Sequence, residues 1–258
     1  MTVAQFFGCG MITFGPPLVL FIITMAKDPI RVIMLVASSF FWLLSLLFSS
    51  MLYKVVGPLQ PYLAFGALFS VLFQEFFRLL WFMLIRKAEV GLKKVSEDNL
   101  EIIENKHILA YVSGVGFGLI SGAFALVNVL ADMTGPGTVG LYGDSPSFFI
   151  ATTFTSLAFI FLHVCWGVIF FAAMHTRRYL LIAYVIMSHL LASAITLLNP
   201  LYAVTVPLVW LVLVVTAVIA LCVAGVSPAS VRNSLKFSDR AYRVDAVDVG
   251  ATDSRAHL

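Results

Sequence analysis

Seven predominantly apolar runs, at about 3–26, 30–55, 62–85, 108–131, 147–174, 179–198 and 202–226, alternate with short polar or Gly/Pro-bearing gaps. Crossing a hydrocarbon core of about 30 Å takes roughly 20 helical residues, and every run is long enough. None alternates with the period of a membrane strand. Lipid offers no partner for backbone N–H and C=O groups, so continuous apolar runs predict helices rather than a barrel. The expected fold is an all-α membrane protein, a seven-transmembrane helix bundle over residues 1–226. A polar cytoplasmic tail, 227–258, follows, with no apolar run long enough to span.

Charge then orients the bundle. Of the sixteen Lys and Arg residues, all but Lys54 and Arg78 fall in alternate gaps or in the tail. The gap after the first run holds Lys27 and Arg31, the third gap holds Arg86, Lys87, Lys93, Lys94 and Lys106, and the fifth holds Arg177 and Arg178. The intervening gaps, such as 56–61 and 132–146, carry no basic residue. Basic loops stay in the cytoplasm, so the N-terminus is expected on the lumenal or extracellular side and the C-terminus in the cytoplasm. The first run has no basic leader and carries Gly15-Pro16-Pro17 within it, which reads as a retained helix rather than a removed signal peptide.

Composition agrees, since 61% hydrophobic and 11% charged residues leave too little polar surface for a soluble globule of this length. The net charge of +3 is a consequence of topology and gives no case for nucleic-acid binding. Cys9, Cys165 and Cys222 lie in separate runs without metal-ligand spacing, so no metal or other cofactor is expected.

Ionisable groups inside a membrane span are costly, and each needs a partner or a task. Gln74, Glu75 and Arg78 share the third run, with Glu75 and Arg78 three apart on one helix face. His163 and His189 are the comparable residues of the fifth and sixth runs. Counted from the basic edge at about 1.5 Å per residue, Glu75, His163 and His189 all lie roughly 16–21 Å deep. They are expected to form a polar layer near mid-membrane, either as internal interhelical hydrogen bonds or as contacts to a partner.

In the fourth run Gly114, Gly118 and Gly122 recur every four residues, flanked by Ser113, Gly116 and Ser121. Small residues let membrane helices approach closely, so this ridge predicts a tight helix contact, within the chain or with another. Asn128, nearer the outer end, is placed to lock that contact.

Glu75 is the lone acid deep in a span, so the chain cannot supply an aspartyl dyad by itself, and no Gly-x-Ser-x-Gly, HExxH or phosphate-cradling loop occurs. An enzyme is disfavoured. The competing reading is an autonomous transporter or receptor that uses the polar layer. Against it, the run after Asn199-Pro200 lacks the spacing of the receptor NPxxY pattern, and no inverted repeat is found.

Ordered motifs along nearly the whole chain carry a resemblance. They are Phe6-Phe7-Gly8-Cys9, Phe14-Gly15-Pro16, Asp28-Pro29-Ile30-Arg31-Val32, Phe40-Phe41-Trp42-Leu43, Gln74-Glu75-Phe76-Phe77-Arg78 and Tyr111-Val112-Ser113-Gly114. Gly135-Pro136-Gly137, Gly143-Asp144-Ser145-Pro146, His163-Val164-Cys165-Trp166-Gly167 and Ser188-His189-Leu190-Leu191 continue the series. With these the chain resembles the anterior-pharynx-defective (APH) family, the seven-helix scaffold subunit of gamma-secretase. The resemblance implies a non-catalytic subunit that stabilises presenilin alongside nicastrin and the presenilin enhancer subunit. The complex would cleave single-span proteins such as Notch and amyloid precursor protein in endoplasmic reticulum, Golgi, endosomal and plasma membranes. It also implies that Gly114, Gly118 and Gly122, together with His163 and His189, support assembly.

Overall fold

The computed structural model describes residues 3–59, 61–95, 106–134, 147–199 and 201–226. Seven helices carry the chain: α1 (Val3–Thr24), α2 (Pro29–Val55), α3 (Leu63–Val95), α4 (Lys106–Thr134), α5 (Phe148–Thr176), α6 (Tyr179–Thr196) and α7 (Tyr202–Val223). A single 3-10 turn, Gly57–Leu59, fills the uncharged gap between α2 and α3. Each of the seven is long and apolar enough to cross a membrane. The tail at 227–258 lies outside the described residues, as does most of the gap between α4 and α5.

Local chemistry sets the boundaries. Asp28 caps α2, its side chain accepting from the backbone N–H of Ile30 at 3.0 Å and of Arg31 at 3.4 Å, and Pro29 takes the first helical position, where its missing N–H costs nothing. Arg31 then binds back to the Thr24 carbonyl at 2.6 Å and pairs with Asp28 at 3.0 Å, so the α1–α2 corner is tied at both helix ends. At the α5–α6 corner Arg177 adopts the left-handed conformation, φ 55°, and its N–H caps α5 on the Ala173 carbonyl. The helix α3 runs past the expected end at 85 to Val95. Lipid thickness limits the apolar run, not the helix, and the charged segment after Arg86 continues the same hydrogen-bonding pattern into water.

The architecture is centred on α5, which packs against α4, α7, α1 and α6. Its apolar window is 67% buried, against 17–22% for α1, α2, α6 and α7, whose outer faces meet lipid or another chain. A helix that is apolar all round belongs at such a centre. The helix α4 is clamped between α5 and α2, while α3 packs on α2 and α6. Aromatic side chains join α3 to α5 from below, with Phe82 set edge-on to Phe171 at 5.2 Å and to His175 at 5.1 Å.

Candidate functional site: a buried charge cluster and a glycine seam

The expected polar layer assembles within the chain. Arg78 donates from Nη1 to both carboxylate oxygens of Glu75, at 2.9 and 3.0 Å, and its Nη2 meets Nδ1 of His163 at 2.9 Å. Nδ1 of His189 lies 2.7 Å from Glu75 Oε1. Three helices, α3, α5 and α6, are therefore joined through four side chains, each at least 95% buried.

These contacts fix the roles of the two imidazoles. Arginine has only donors, so His163 accepts at Nδ1, and a carboxylate has only acceptors, so His189 donates from Nδ1. The rings meet edge to face at 5.2 Å, and the Trp166 indole stacks on His189 at 4.1 Å. The guanidinium also lies 5.3 Å from the Phe117 ring, whose face favours a cation. A buried pair becomes tolerable only when its remaining hydrogen-bonding capacity is met, and here the histidines meet it from two further helices.

Three tryptophans extend the network, and none could be matched to its partner from spacing alone. Trp42 of α2 donates to Gln74 Oε1 of α3 at 3.0 Å, and Gln74 Nε2 reaches Ser70 at 3.1 Å. Trp81 of α3 donates to Ser113 of α4 at 2.9 Å, and Trp166 of α5 to Ser188 of α6 at 2.9 Å. Both serines send their own hydrogen to a carbonyl of the preceding turn, of Leu109 and Val185, leaving a lone pair for the indole. A buried indole N–H needs an acceptor, and these three find theirs on neighbouring helices. Beside Gln74 opens a cavity of about 330 Å³ lined by hydroxyl and amide groups, including Ser121, Ser156, Ser193 and Asn199.

The glycine ridge of α4 faces α5. A Cβ built at Gly118 would stand 2.5 Å from the Ile160 carbonyl oxygen, and one at Gly114 would stand 2.8 Å from Val164 Cα and 3.0 Å from the His163 carbonyl oxygen. Gly167 answers from α5, where a Cβ would lie 2.9 Å from Gly114 Cα. At Gly122 the neighbour is instead the side chain of Ile160, with Cδ1 at 2.5 Å. Gly116, on another face, meets Ser38 and the Leu35 carbonyl of α2, and Ser39 donates to the Gly116 carbonyl at 3.0 Å. Asn128 lies on α4, but its side chain is outside the described residues.

Chemically, the cluster is closed. Glu75 accepts from Arg78 on both oxygens and from His189 on one, so its charge is engaged by two neighbouring side chains. Both Nδ1 atoms are occupied, and among the described residues no group of His, Cys, Asp or Glu is arranged to hold a metal ion. This is an arrangement for holding helices together, not for proton transfer to a ligand.

Comparison with known proteins gives the same architecture an ancestry. The family model described as Aph-1 protein matches residues 4–227, which takes in all seven helices, the cluster and the glycine seam. The chain belongs to the Aph-1 family. A relative from Drosophila melanogaster, "Gamma-secretase subunit Aph-1", is 53% identical over 234 residues, covering 90% of this chain and 98% of its own. "Gamma-secretase subunit APH-1B" of Homo sapiens is 42% identical over 251 residues, covering 94% of this chain and 97% of its own. The Aph-1 kinship reaches plants, with "Gamma-secretase subunit APH1-like" of Arabidopsis thaliana 29% identical over 209 residues, 77% of this chain and 83% of the relative. As an Aph-1 protein with seven apolar helices, this is a multi-pass membrane protein.

Proposed function

We propose that this chain is the non-catalytic Aph-1 subunit of gamma-secretase, an assembly scaffold whose bundle holds partner helices and keeps the protease competent. The observation that carries the reading is the cluster itself. Its single carboxylate is paired with Arg78 and bonded to His189, which suits a rigid support, and one carboxylate cannot form the pair of acids that an aspartyl protease uses. Close kinship with gamma-secretase subunits over nearly the full length of both chains supports it.

On this reading the partners are presenilin, which supplies the catalytic acids, nicastrin and the presenilin enhancer subunit. The complex would act on single-span proteins such as Notch and amyloid precursor protein. By the basic gaps the N-terminus would lie on the lumenal or extracellular side and residues 227–258 in the cytoplasm. The expected homes are the endoplasmic reticulum, Golgi, endosomal and plasma membranes. Gly114, Gly118, Gly122, His163 and His189 would serve assembly by fixing α4, α5 and α6 in the shape that partners recognise.

The test is affinity purification of the tagged chain from native membranes in mild detergent, with mass spectrometry of the proteins that accompany it. Recovery of the three named partners supports the proposal. Their reproducible absence from an intact, monodisperse preparation contradicts it and favours the autonomous transporter or receptor.

A further inference from the structure

A second cavity, of about 370 Å³, opens where α4 and α6 begin and α5 and α7 end. Its lining brings together Lys106, His107, His175 and Arg178, with no acidic residue among the described lining groups. Glu89 and Arg86 of α3 lie within electrostatic reach of His175, and with Lys106 and Arg178 counted the balance among the described residues is positive. The N-terminus of α6 lies there without a side-chain cap and presents the positive end of a helix dipole. His175 commits Nδ1 to the Phe171 carbonyl at 2.7 Å, while its buried Nε2 has no partner among the described residues. In the charged form that ring offers Nε2–H to an anion.

The remaining wall is apolar, formed in part by Leu181, Cys222 and Val223. The cavity lies where four candidate spans begin or end, and Tyr179 and Leu180 beside it are 71% and 88% exposed. A tyrosine at a helix end marks the headgroup boundary. A soluble anion would gain nothing from the apolar wall, whereas a lipid would set its phosphates against the basic groups and its glycerol and first methylenes against Cys222 and Val223. Basic pockets between membrane helices on the cytoplasmic side take anionic headgroups, and a volume of this size falls in the range of small-ligand sites.

We propose that this cavity binds the phosphate-bearing headgroup of an anionic membrane lipid, of the phosphoinositide class. The site lies on the side that the basic gaps assign to the cytoplasm, but binding by the isolated chain depends on neither orientation nor complex assembly. Failure here is therefore distinct from failure of the scaffold reading.

The test titrates dioctanoyl phosphatidylinositol 4,5-bisphosphate into the full chain in mild detergent. It reads affinity by thermophoresis and the alkylation rate of Cys222, which is exposed in the cavity wall. Lys106 and Arg178 are both exposed, so the variant K106Q/R178Q should fold. Saturable binding that weakens at least tenfold in this variant but not in Lys27→Gln, with Cys222 alkylation slowed by the phosphoinositide and not by phosphatidylcholine of equal chain length, is the expected result. Equal affinity in the two variants would reduce the effect to general surface charge and overturn the site. Competition by inorganic phosphate at equal molarity would overturn the lipid assignment. So would protection of Cys222 by a peptide with a free C-terminal carboxylate when the lipid gives none, which would make the cavity a peptide site.

Discussion

The glycine seam and the charge cluster converge on the same turns of α5, yet they hold helices by opposite means. Between α4 and α5, Gly114, Gly118 and Gly167 set backbone against backbone, and the attraction there is dispersion over a close, flat contact. Between α3, α5 and α6 long polar side chains span a wider gap, and four of them share one set of hydrogen bonds. The first arrangement tolerates no added atom, and the second tolerates no missing one. His163 belongs to both, since its carbonyl lies under Gly114 while its ring accepts from Arg78. Close packing of α4 thus sets the height of a ring in the cluster.

The difference predicts which substitutions matter. Arg78→Met should have the largest effect on the chain's own stability. It leaves Glu75 buried without its cation, and breaking a buried pair costs about 3–5 kcal/mol. Thermal unfolding in mild detergent should show that loss, and the double variant E75Q/R78M should recover part of it. If the double variant is no better than the single, the cost is one of packing rather than of a stranded charge.

On the glycine side the order is set by what each new methyl would meet. Gly118→Ala presses on the Ile160 carbonyl, which cannot move without its helix, and should cost about 1–3 kcal/mol. Gly122→Ala presses on the end of the Ile160 side chain, which can turn away, and should cost less. Unfolding midpoints compared in one detergent check the ranking, and the reverse order would mean that the seam is looser than described. Smaller again is Trp42→Phe, which removes a single interhelical bond to Gln74 and should cost about 0.6 kcal/mol, the average for such bonds in a membrane bundle. A double-mutant cycle with Gln74→Leu would isolate it.

Much of this was legible before any coordinates. Lipid forces apolar runs of sufficient length into helices, so all seven were predictable, and counting from the basic edge put Glu75, His163 and His189 at one depth because helical rise is constant. The i, i+3 spacing of Glu75 and Arg78 likewise announced their pair. Which histidine would serve the acid and which the base was not legible, because that depends on the rotation of α5 and α6 about their axes, which depth does not fix. The glycine spacing revealed a close contact but not its occupant, since a ridge fits an internal helix and a foreign one equally well. The partners of Trp42, Trp81 and Trp166 were hidden for the same reason. That α3 continues to Val95 is not legible from hydropathy, which reports where lipid stops, not where the helix does.

The central claim is that the Gly114–Gly118–Gly122 ridge is an internal seam that holds α4 on α5. The most direct test is the unfolding temperature of Gly118→Leu in the chain purified without partners, beside Gly15→Leu on α1, where an added Cβ meets nothing within 4 Å. The account predicts a large drop for Gly118→Leu and almost none for Gly15→Leu. An isolated chain as stable with Gly118→Leu as without it, but unable to gather partners, would show that the ridge holds a foreign helix and contradict the account.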